Sequence, residues 1–310
     1  LSRSDPDPKV VLAPTTGESI PSALRNVGGI ELVTPGWDDV ATALADAEVL
    51  VSFLWRDEFL TPSLRWIQSI SAGTEQFPAS RLEEAGVVLT SAVGIHGPQV
   101  AEHALALLLA LTRGVGRAAL QRAGRDWSVP PVYEIGGMTM AVLGLGVLGE
   151  AIAERAKALG MSVIGVKRDV AGYDGNAEEV YPPERLTEVL ERADVAVVTL
   201  PGGEETRHLI GADEIGAIGA GWLINVGRGS VVDERALIAA LEDGGLRGAG
   251  LDVFEDEPLC GDSPLWDLAN VVMTPHVAGA SPHYGVRLAE IFRANLAAFR
   301  GNGEWVNRVC

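Results

Sequence analysis

Arg228, Glu257 and His276 each lie just beyond a stretch that reads as a buried strand, in the contexts NVGRG, DVFEDEP and TPHVAG. The ends of strands are where open α/β sheets bind ligands. An arginine held between Gly227 and Gly229 is badly placed for a core and well placed to grip a carboxylate with its planar fork. A histidine beside a carboxylate keeps its proton toward neutral pH and can pass it on. Reducing a ketone by hydride needs that proton, because the forming alkoxide must receive one. Each residue also has a plainer reading. Arg228 could be half of a surface ion pair, the acidic run at Glu257 a solvated loop, and His276 a structural histidine.

A second constellation is more specific. The run MTMAVLGLGVLGEAIAERAKALGMSVIGVKR places Gly144, Gly146 and Gly149 as G-x-G-x-x-G between a short apolar run, Met140–Leu143, and a helical stretch, Ala151–Leu159. Val163–Val166 then completes a strand–helix–strand unit of roughly 30 residues. One glycine allows a tight turn, one lets the backbone approach a pyrophosphate, and one lets helix pack on strand. The helix N-terminus adds unpaired N–H groups and partial positive charge for the phosphates. An acidic residue about 20 positions after the glycines usually holds the ribose 2′-hydroxyl of NAD. Here that place is taken by Lys167 and Arg168, a cation pair suited to the 2′-phosphate of NADP(H). The expected cofactor is therefore NADP(H), with NAD(H) possible.

Alternating strands and helices must position these residues. In the first part, Lys9–Ala13, Ile30–Val33, Glu48–Phe53, Trp66–Ser71 and Val87–Thr90 read as strands, with helices at Ser19–Val27 and Trp37–Ala45. The turn Ser71-Ala72-Gly73-Thr74 could expose backbone N–H groups as an anion nest, or be an ordinary turn. Pro98–Thr112 is a strongly apolar helix, buried inside the chain or between subunits, and Gly114–Trp127 a second helix. Strands follow at Asp194–Leu200, Gly221–Asn225, Gly248–Val253 and Val271–Met273, with helices at Ala212–Ile218 and Asp233–Asp243. With Met140–Leu143 and Val163–Val166 this gives six strands, as in a doubly wound dinucleotide domain. Pro282–Arg300 is a last helix, expected to return to the first domain, and Leu1–Pro8 a polar tail.

Bulk properties narrow the function classes. A chain of 310 residues, 47% hydrophobic and 21% charged, is globular and large enough for two domains. A net charge of −18 repels phosphate backbones, so no nucleic-acid partner is expected. It also means that a small anionic substrate needs a local cationic site. The longest apolar run, Ala104–Leu111, is far short of the ~20 residues that span a bilayer. No membrane association or secretory signal is expected, and the expected location is cytoplasmic. Two cysteines, Cys260 and Cys310, are too few for a disulfide framework, and no ligand spacing suggests a metal.

Taken in order and spacing, Gly144–Gly149, Asn225–Gly229, Leu251–Pro258 and Thr274–Gly279 resemble the D-isomer-specific 2-hydroxyacid dehydrogenase family, and the likeness covers almost the whole chain. It implies α/β architecture with two doubly wound parallel-sheet domains. A Rossmann dinucleotide-binding domain (residues 98–280) would be inserted into a discontinuous flavodoxin-like substrate domain (residues 1–97 with 281–310), with a cleft between them. The implied activity is hydride transfer between the cofactor and a small 2-keto or D-2-hydroxy acid, with glyoxylate and hydroxypyruvate reductases the nearest in character. The resemblance implies that Arg228 binds the substrate carboxylate and carbonyl oxygen, that His276 is the general acid for reduction, and that Glu257 pairs with it. Ala72 and Gly73 match the backbone cradle for the substrate carboxylate, and Trp55 a substrate-facing position in some reductases. Val147 and Leu148 match the pyrophosphate-facing turn, and Leu200 and Pro201 the wall near the adenosine. Asp252, with the backbone at Val226 and Gly227, would hold the nicotinamide carboxamide, and His276 would face the same ring. His96 and His103 read as structural.

The family's acidic residue after the second strand is replaced by Lys167, which is the departure that favours NADP(H). Members that oxidise formate carry Gln where Glu257 stands, so formate is not expected. Two alternatives stay open, a phosphite dehydrogenase-like oxidation and a non-catalytic, corepressor-like dinucleotide sensor. The apolar helix and the arm after it suggest a homodimer, as the family does.

Overall fold

The computed structural model describes residues 6–15 and 18–310. Most of the expected tail, residues 1–5, lies outside the described residues. Its end is docked: Asp7 pairs with Arg300 at 3.0 Å, and the buried Pro8 accepts a backbone hydrogen bond from Glu31. Twelve strands are formed among the described residues. In chain order they are β1 (Lys9–Leu12), β2 (Glu31–Val33), β3 (Val49–Ser52), β4 (Trp66–Ser69), β5 (Val88–Thr90), β6 (Thr139–Leu143), β7 (Ser162–Val166), β8 (Glu179–Tyr181), β9 (Val195–Val198), β10 (Trp222–Asn225), β11 (Gly248–Leu251) and β12 (Val271–Met273). The α-helices are α1 (Ser19–Arg25), α2 (Val40–Ala43), α3 (Ala79–Glu84), α4 (Gly97–Thr112), α5 (Val115–Gly124), α6 (Val147–Ala158), α7 (Leu186–Glu191), α8 (Ala212–Ile218), α9 (Glu234–Glu242) and α10 (Tyr284–Phe299). No single helix among the described residues is long and apolar enough to cross a membrane.

Contacts divide the chain into two compact units, residues 1–96 with 281–310 and residues 97–280. The boundary falls one residue earlier than the sequence suggests, because Gly97 already belongs to α4.

In the first unit five parallel strands run in the order β2-β1-β3-β4-β5, the flavodoxin-like order. Parallel sheets are covered on both faces, so their strands are apolar runs rather than alternating ones. Val49, Leu50 and Val51 are accordingly all buried. Helix α10 closes one face. Phe292 stacks on Trp66 with ring centroids 4.8 Å apart, and α10 starts so close to α1 that a Cβ on Gly285 would stand 2.0 Å from the Ser19 carbonyl oxygen. The end of the chain lies antiparallel along β5, with Val309 N–H donating to Leu89 and Thr90 bridged to Arg308, which covers an otherwise open edge. The helix expected at Trp37–Ala45 is broken into single turns around α2.

The second unit has seven parallel strands in the order β12-β11-β10-β9-β6-β7-β8. Numbered within the unit this is 3-2-1-4-5-6-7, the Rossmann order with one strand added. Six strands were expected, and the one missed is β8. It is a three-residue edge strand with a single buried side chain, Tyr181, whose ring lies under the guanidinium groups of Arg185 and Arg192. So short a segment carries no readable period. The same holds for α3 and α7, of six residues each. Helix α4 is buried within this unit, where Val100, Ala101, Ala104, Leu107 and Leu108 pack with the sheet. Glycines in β11 let it approach, since a Cβ on Gly250 would meet Leu107 at 2.8 Å. Helix α5 stops at Gly124 rather than Trp127, because Arg125 turns left-handed (φ 55°). Strand order reverses between β6 and β9, and that switch point places the ligand-binding loops.

Candidate active site

The turn from β6 into α6 fits a pyrophosphate. Gly144 has φ 104°, a left-handed value that favours glycine, and Thr199 from the neighbouring strand end fixes it by donating its hydroxyl to the Gly144 carbonyl at 2.6 Å. A Cβ on Gly149 would stand 2.2 Å from that same carbonyl oxygen, so any other residue would push α6 off the sheet. Gly146 faces open space, with nothing within 4 Å of a Cβ there. Helix α6 begins at Val147, four residues earlier than expected. Gly149 is thus inside the first turn, where close packing outweighs its poor helix propensity. Val147 is exposed beside this turn and Leu148 half-buried. Leu200, followed by Pro201, closes one side, its side chain 3.1 Å from a Cβ on Gly144.

Three other strand ends carry the reactive groups, and each is braced by a buried polar side chain. At the end of β10 the Asn225 amide donates to the Arg228 carbonyl at 3.0 Å and its oxygen accepts from Gly227 N–H at 3.1 Å. The turn Val226–Arg228 is therefore fixed at both ends. Val226 and Gly227 are buried, whereas Arg228 is exposed. Its guanidinium donates to the Gly227 carbonyl at 2.8 Å. Gly229 lies directly against the loop after β11, where a Cβ would overlap the Phe254 carbonyl at 1.8 Å. That contact brings the loops of Arg228 and Glu257 together.

At the end of β11, Asp252 is 1% exposed, and a carboxylate so buried needs donors. It accepts from the Thr274 hydroxyl at 2.6 Å and from Val277 and Ala278 N–H at 2.9 Å each. Its own carbonyl takes the His276 N–H at 2.8 Å. The loop after β12 is thereby folded onto Asp252, and His276 is held at φ 51°, a left-handed value uncommon for a residue with a Cβ. The resemblance assigns Asp252 to the nicotinamide carboxamide. The structure gives both its oxygens to the loop of His276, so the task it displays is anchoring that loop. His103 supports the same knot, its Nε2 at 2.8 Å from the Thr274 hydroxyl and 3.4 Å from Asp252.

His276 Nδ1 lies 2.6 Å from Glu257 Oε2, and the other Glu257 oxygen accepts from Phe254 N–H at 3.1 Å. An Nδ1–H directed at the carboxylate leaves Nε2 to give or take a proton, and fixes both ring orientation and tautomer. The imidazole is half exposed, so it is open to a ligand.

The remaining expected residues are placed as follows. Lys167 follows β7, half-buried, its ammonium 5.6 Å from the ring centre of Tyr173. Arg168 is exposed and 3.5 Å from Glu205. Ala72 and Gly73, in the first unit, have backbone N–H groups without partners among the described residues. A chain of Ser69 and Ser71 hydroxyls ending on the Gly73 carbonyl supports their turn. The Glu75 carboxylate lies beside Gly73, which is unwelcoming to an anion unless that exposed side chain swings away. Trp55 packs edge-on to Phe59 and donates to Asp57 at 3.3 Å, so the role it displays is packing. His96 packs edge-on to Tyr284 in the first unit. No cluster of three or more metal-ligating side chains occurs among the described residues. Asn225, Thr274 and Phe254 were not singled out by sequence. Only Asn225 gave a signal, as a polar residue closing the buried run WLIN.

The chain is similar to known proteins along most of its length. Residues 105–278 match the family model for D-isomer-specific 2-hydroxyacid dehydrogenases, NAD-binding domain. A glyoxylate reductase of Korarchaeum cryptofilum is 36% identical over 77% of this chain and 74% of its own length. A glyoxylate/hydroxypyruvate reductase B of Yersinia pseudotuberculosis is 37% identical over 76% and 74%. Among solved structures, an NADPH-dependent glyoxylate/hydroxypyruvate reductase from Sinorhizobium meliloti, in complex with NADP and malonate, superposes with a TM-score of 0.78 at 31% identity, over 98% of this chain and 97% of that one.

Proposed function

The chain belongs to the D-isomer-specific 2-hydroxyacid dehydrogenase family, oxidoreductases that move hydride between a nicotinamide cofactor and a 2-keto or 2-hydroxy acid, and from that premise we propose that it reduces small 2-keto acids such as glyoxylate and hydroxypyruvate, with NADP(H) preferred over NAD(H). The observation that carries this reading is the Glu257–His276 pair, fixed on Asp252 and leaving Nε2 without a partner among the described residues. The relatives' substrates and the cofactor of the Sinorhizobium meliloti enzyme support it.

Bound at the Gly144–Gly149 turn, the cofactor supplies the hydride. The chain's own residues do the rest. Arg228 forks onto the substrate carboxylate and polarises the carbonyl oxygen, a charge-assisted contact that also offsets the chain's overall negative field. His276 Nε2 gives its proton to the carbonyl oxygen as negative charge develops there, and Glu257 keeps the ring in place through Nδ1. Oxidation runs the same transfer backward. Lys167 and Arg168 take the 2′-phosphate.

The exposed side chains of Trp127 and Val129, 98% and 88% accessible, lie on the arm after α5. Apolar surface so open suits a second copy of the chain, and we take the working form to be a homodimer.

The test is loss of reduced-cofactor absorbance on adding glyoxylate, hydroxypyruvate or pyruvate, run with NADPH and NADH in parallel. Turnover with glyoxylate or hydroxypyruvate, faster with NADPH, is expected. Tight cofactor binding with no turnover across the panel would instead indicate a dinucleotide sensor. Replacing Lys167→Asp together with Arg168→Ala should move preference toward NADH, and an unaltered ratio would refute their role.

A further inference from the structure

Beside the glycine turn, the segment between β7 and β8 folds over a recess of about 370 Å³ whose lining includes Leu145, Glu150, Lys167, Asp169, Tyr173 and Asp174. Leu145 belongs to the glycine turn and Lys167 to the end of β7, so the recess lies where a ribose would leave the pyrophosphate. Three acidic side chains surround one lysine, which at first sight opposes an anionic ligand. Hydrogen bonding changes that balance. Glu150, in the first turn of α6, accepts from the Tyr173 hydroxyl at 2.8 Å, from Asn176 N–H at 2.8 Å and from the Asn176 amide at 3.1 Å. Asp169 accepts from Ala171 N–H at 3.1 Å, within its own turn. Two of the three carboxylates are thus turned into the framework of the loop rather than toward Lys167.

The framework is closed on itself. The Tyr173 hydroxyl also accepts from Ala177 N–H at 2.8 Å, and a Cβ on Gly175 would stand 2.5 Å from both Glu150 Oε1 and the Tyr173 hydroxyl. The loop is therefore fastened to the helix turn that begins the phosphate site, and it presents the face of Tyr173 to the Lys167 ammonium at 5.6 Å. A cation–π contact holds an ammonium in place without neutralising it, as an ion pair would.

We propose that Glu150, Tyr173 and Asn176 form a latch that holds Lys167 ready for the 2′-phosphate of NADP(H), which makes Tyr173 and Glu150 positioning residues for cofactor choice. The proposal rests on the NADP(H) reading above and adds the residues through which Lys167 acts. The latch restricts a flexible four-carbon side chain before binding, so less freedom is lost when the phosphate arrives. NADH, which has no 2′-phosphate, gains nothing from it.

The test is titration of wild type, Lys167→Ala, Tyr173→Phe and Asn176→Ala with NADPH and with NADH, followed by nicotinamide fluorescence. Tyr173→Phe keeps the ring and cuts both hydroxyl bonds, and should weaken NADPH about fivefold while changing NADH less than about twofold. Asn176→Ala, which removes the amide's two bonds to Glu150, one to the carboxylate and a longer one to the backbone carbonyl, and leaves the ring untouched, should act in the same direction by about twofold. Turnover number at saturating NADPH should stay at the wild-type value in both. Equal weakening of the two cofactors, or an unchanged ratio, in Tyr173→Phe while Lys167→Ala still lowers NADPH selectively would overturn the latch and leave the cofactor reading standing. Wild type binding NADH more tightly, or a ratio unmoved by Lys167→Ala, would take down both.

Discussion

Two groups of buried polar side chains, one in each unit, do different work. In the unit of residues 1–96 and 281–310, Gln68, Thr90 and Asn295 face one another inside the core. Trp66 donates to the Thr90 hydroxyl at 2.9 Å, Thr90 donates to Gln68, and Asn295 on α10 donates to Gln68 at 3.0 Å while exchanging two bonds with the backbone of Val306. This network ties the returning helix and the end of the chain to the middle of the sheet. In the unit of residues 97–280, Asn225 and Asp252 sit at strand ends, and their partners belong to loops, backbone groups together with the Thr274 hydroxyl. Satisfied polar groups specify one arrangement in either place. In the first unit what they specify is the packing of a helix. In the second they fix exposed groups, Arg228 and His276, that the core itself cannot reach. Loops positioned by a rigid scaffold are where binding and catalysis concentrate.

Substitutions can break this contrast in order of size. His276→Ala should lower kcat for 2-keto acid reduction about a thousandfold while cofactor affinity and melting temperature stay near wild type. Stopped-flow turnover and a cofactor titration check it, and an unchanged kcat would remove His276 from the reaction. Arg228→Lys keeps the charge and loses the fork, and should cost about a hundredfold in kcat/KM, most of it in KM for the keto acid. Loss confined to kcat, with KM intact, would contradict a carboxylate-gripping role. In the other unit, Asn295→Leu should leave Val306 and Gln68 short of partners and lower unfolding free energy by about 2 kcal/mol, with kcat unchanged in the protein that remains folded. A variant that loses activity without losing stability in a denaturant melt would show that the network reaches the chemistry.

The sequence makes some of this legible and hides the rest for physical reasons. Gly144–Gly149 reads easily because its demands fall on the backbone within six positions, and only glycine meets them at Gly144 and Gly149. Arg228 and His276 stand out because a charged or titratable side chain between Gly or Pro at a strand end has little structural excuse. What supports them does not stand out. The donors of Asp252 come from 22 to 26 positions away, and the contact of Gly229 with Phe254 depends on two loops meeting in space. Neither leaves a period or a spacing to read. Asn295 and Gln68, 227 positions apart, are less visible still. The seventh strand, β8, was missed because three residues are too few to show alternation, and Pro8 because a docked backbone carbonyl leaves no mark in composition.

The most direct test of the account is single-turnover reduction of a 2-keto acid by wild type and Glu257→Gln at one fixed pH. The carboxylate 2.6 Å from His276 Nδ1 fixes the ring and its tautomer, whereas an amide there can turn a donor toward the ring and favour the wrong tautomer. The account predicts a rate about a hundredfold lower in Glu257→Gln, with NADPH binding unaltered. Equal rates for the two proteins would contradict it.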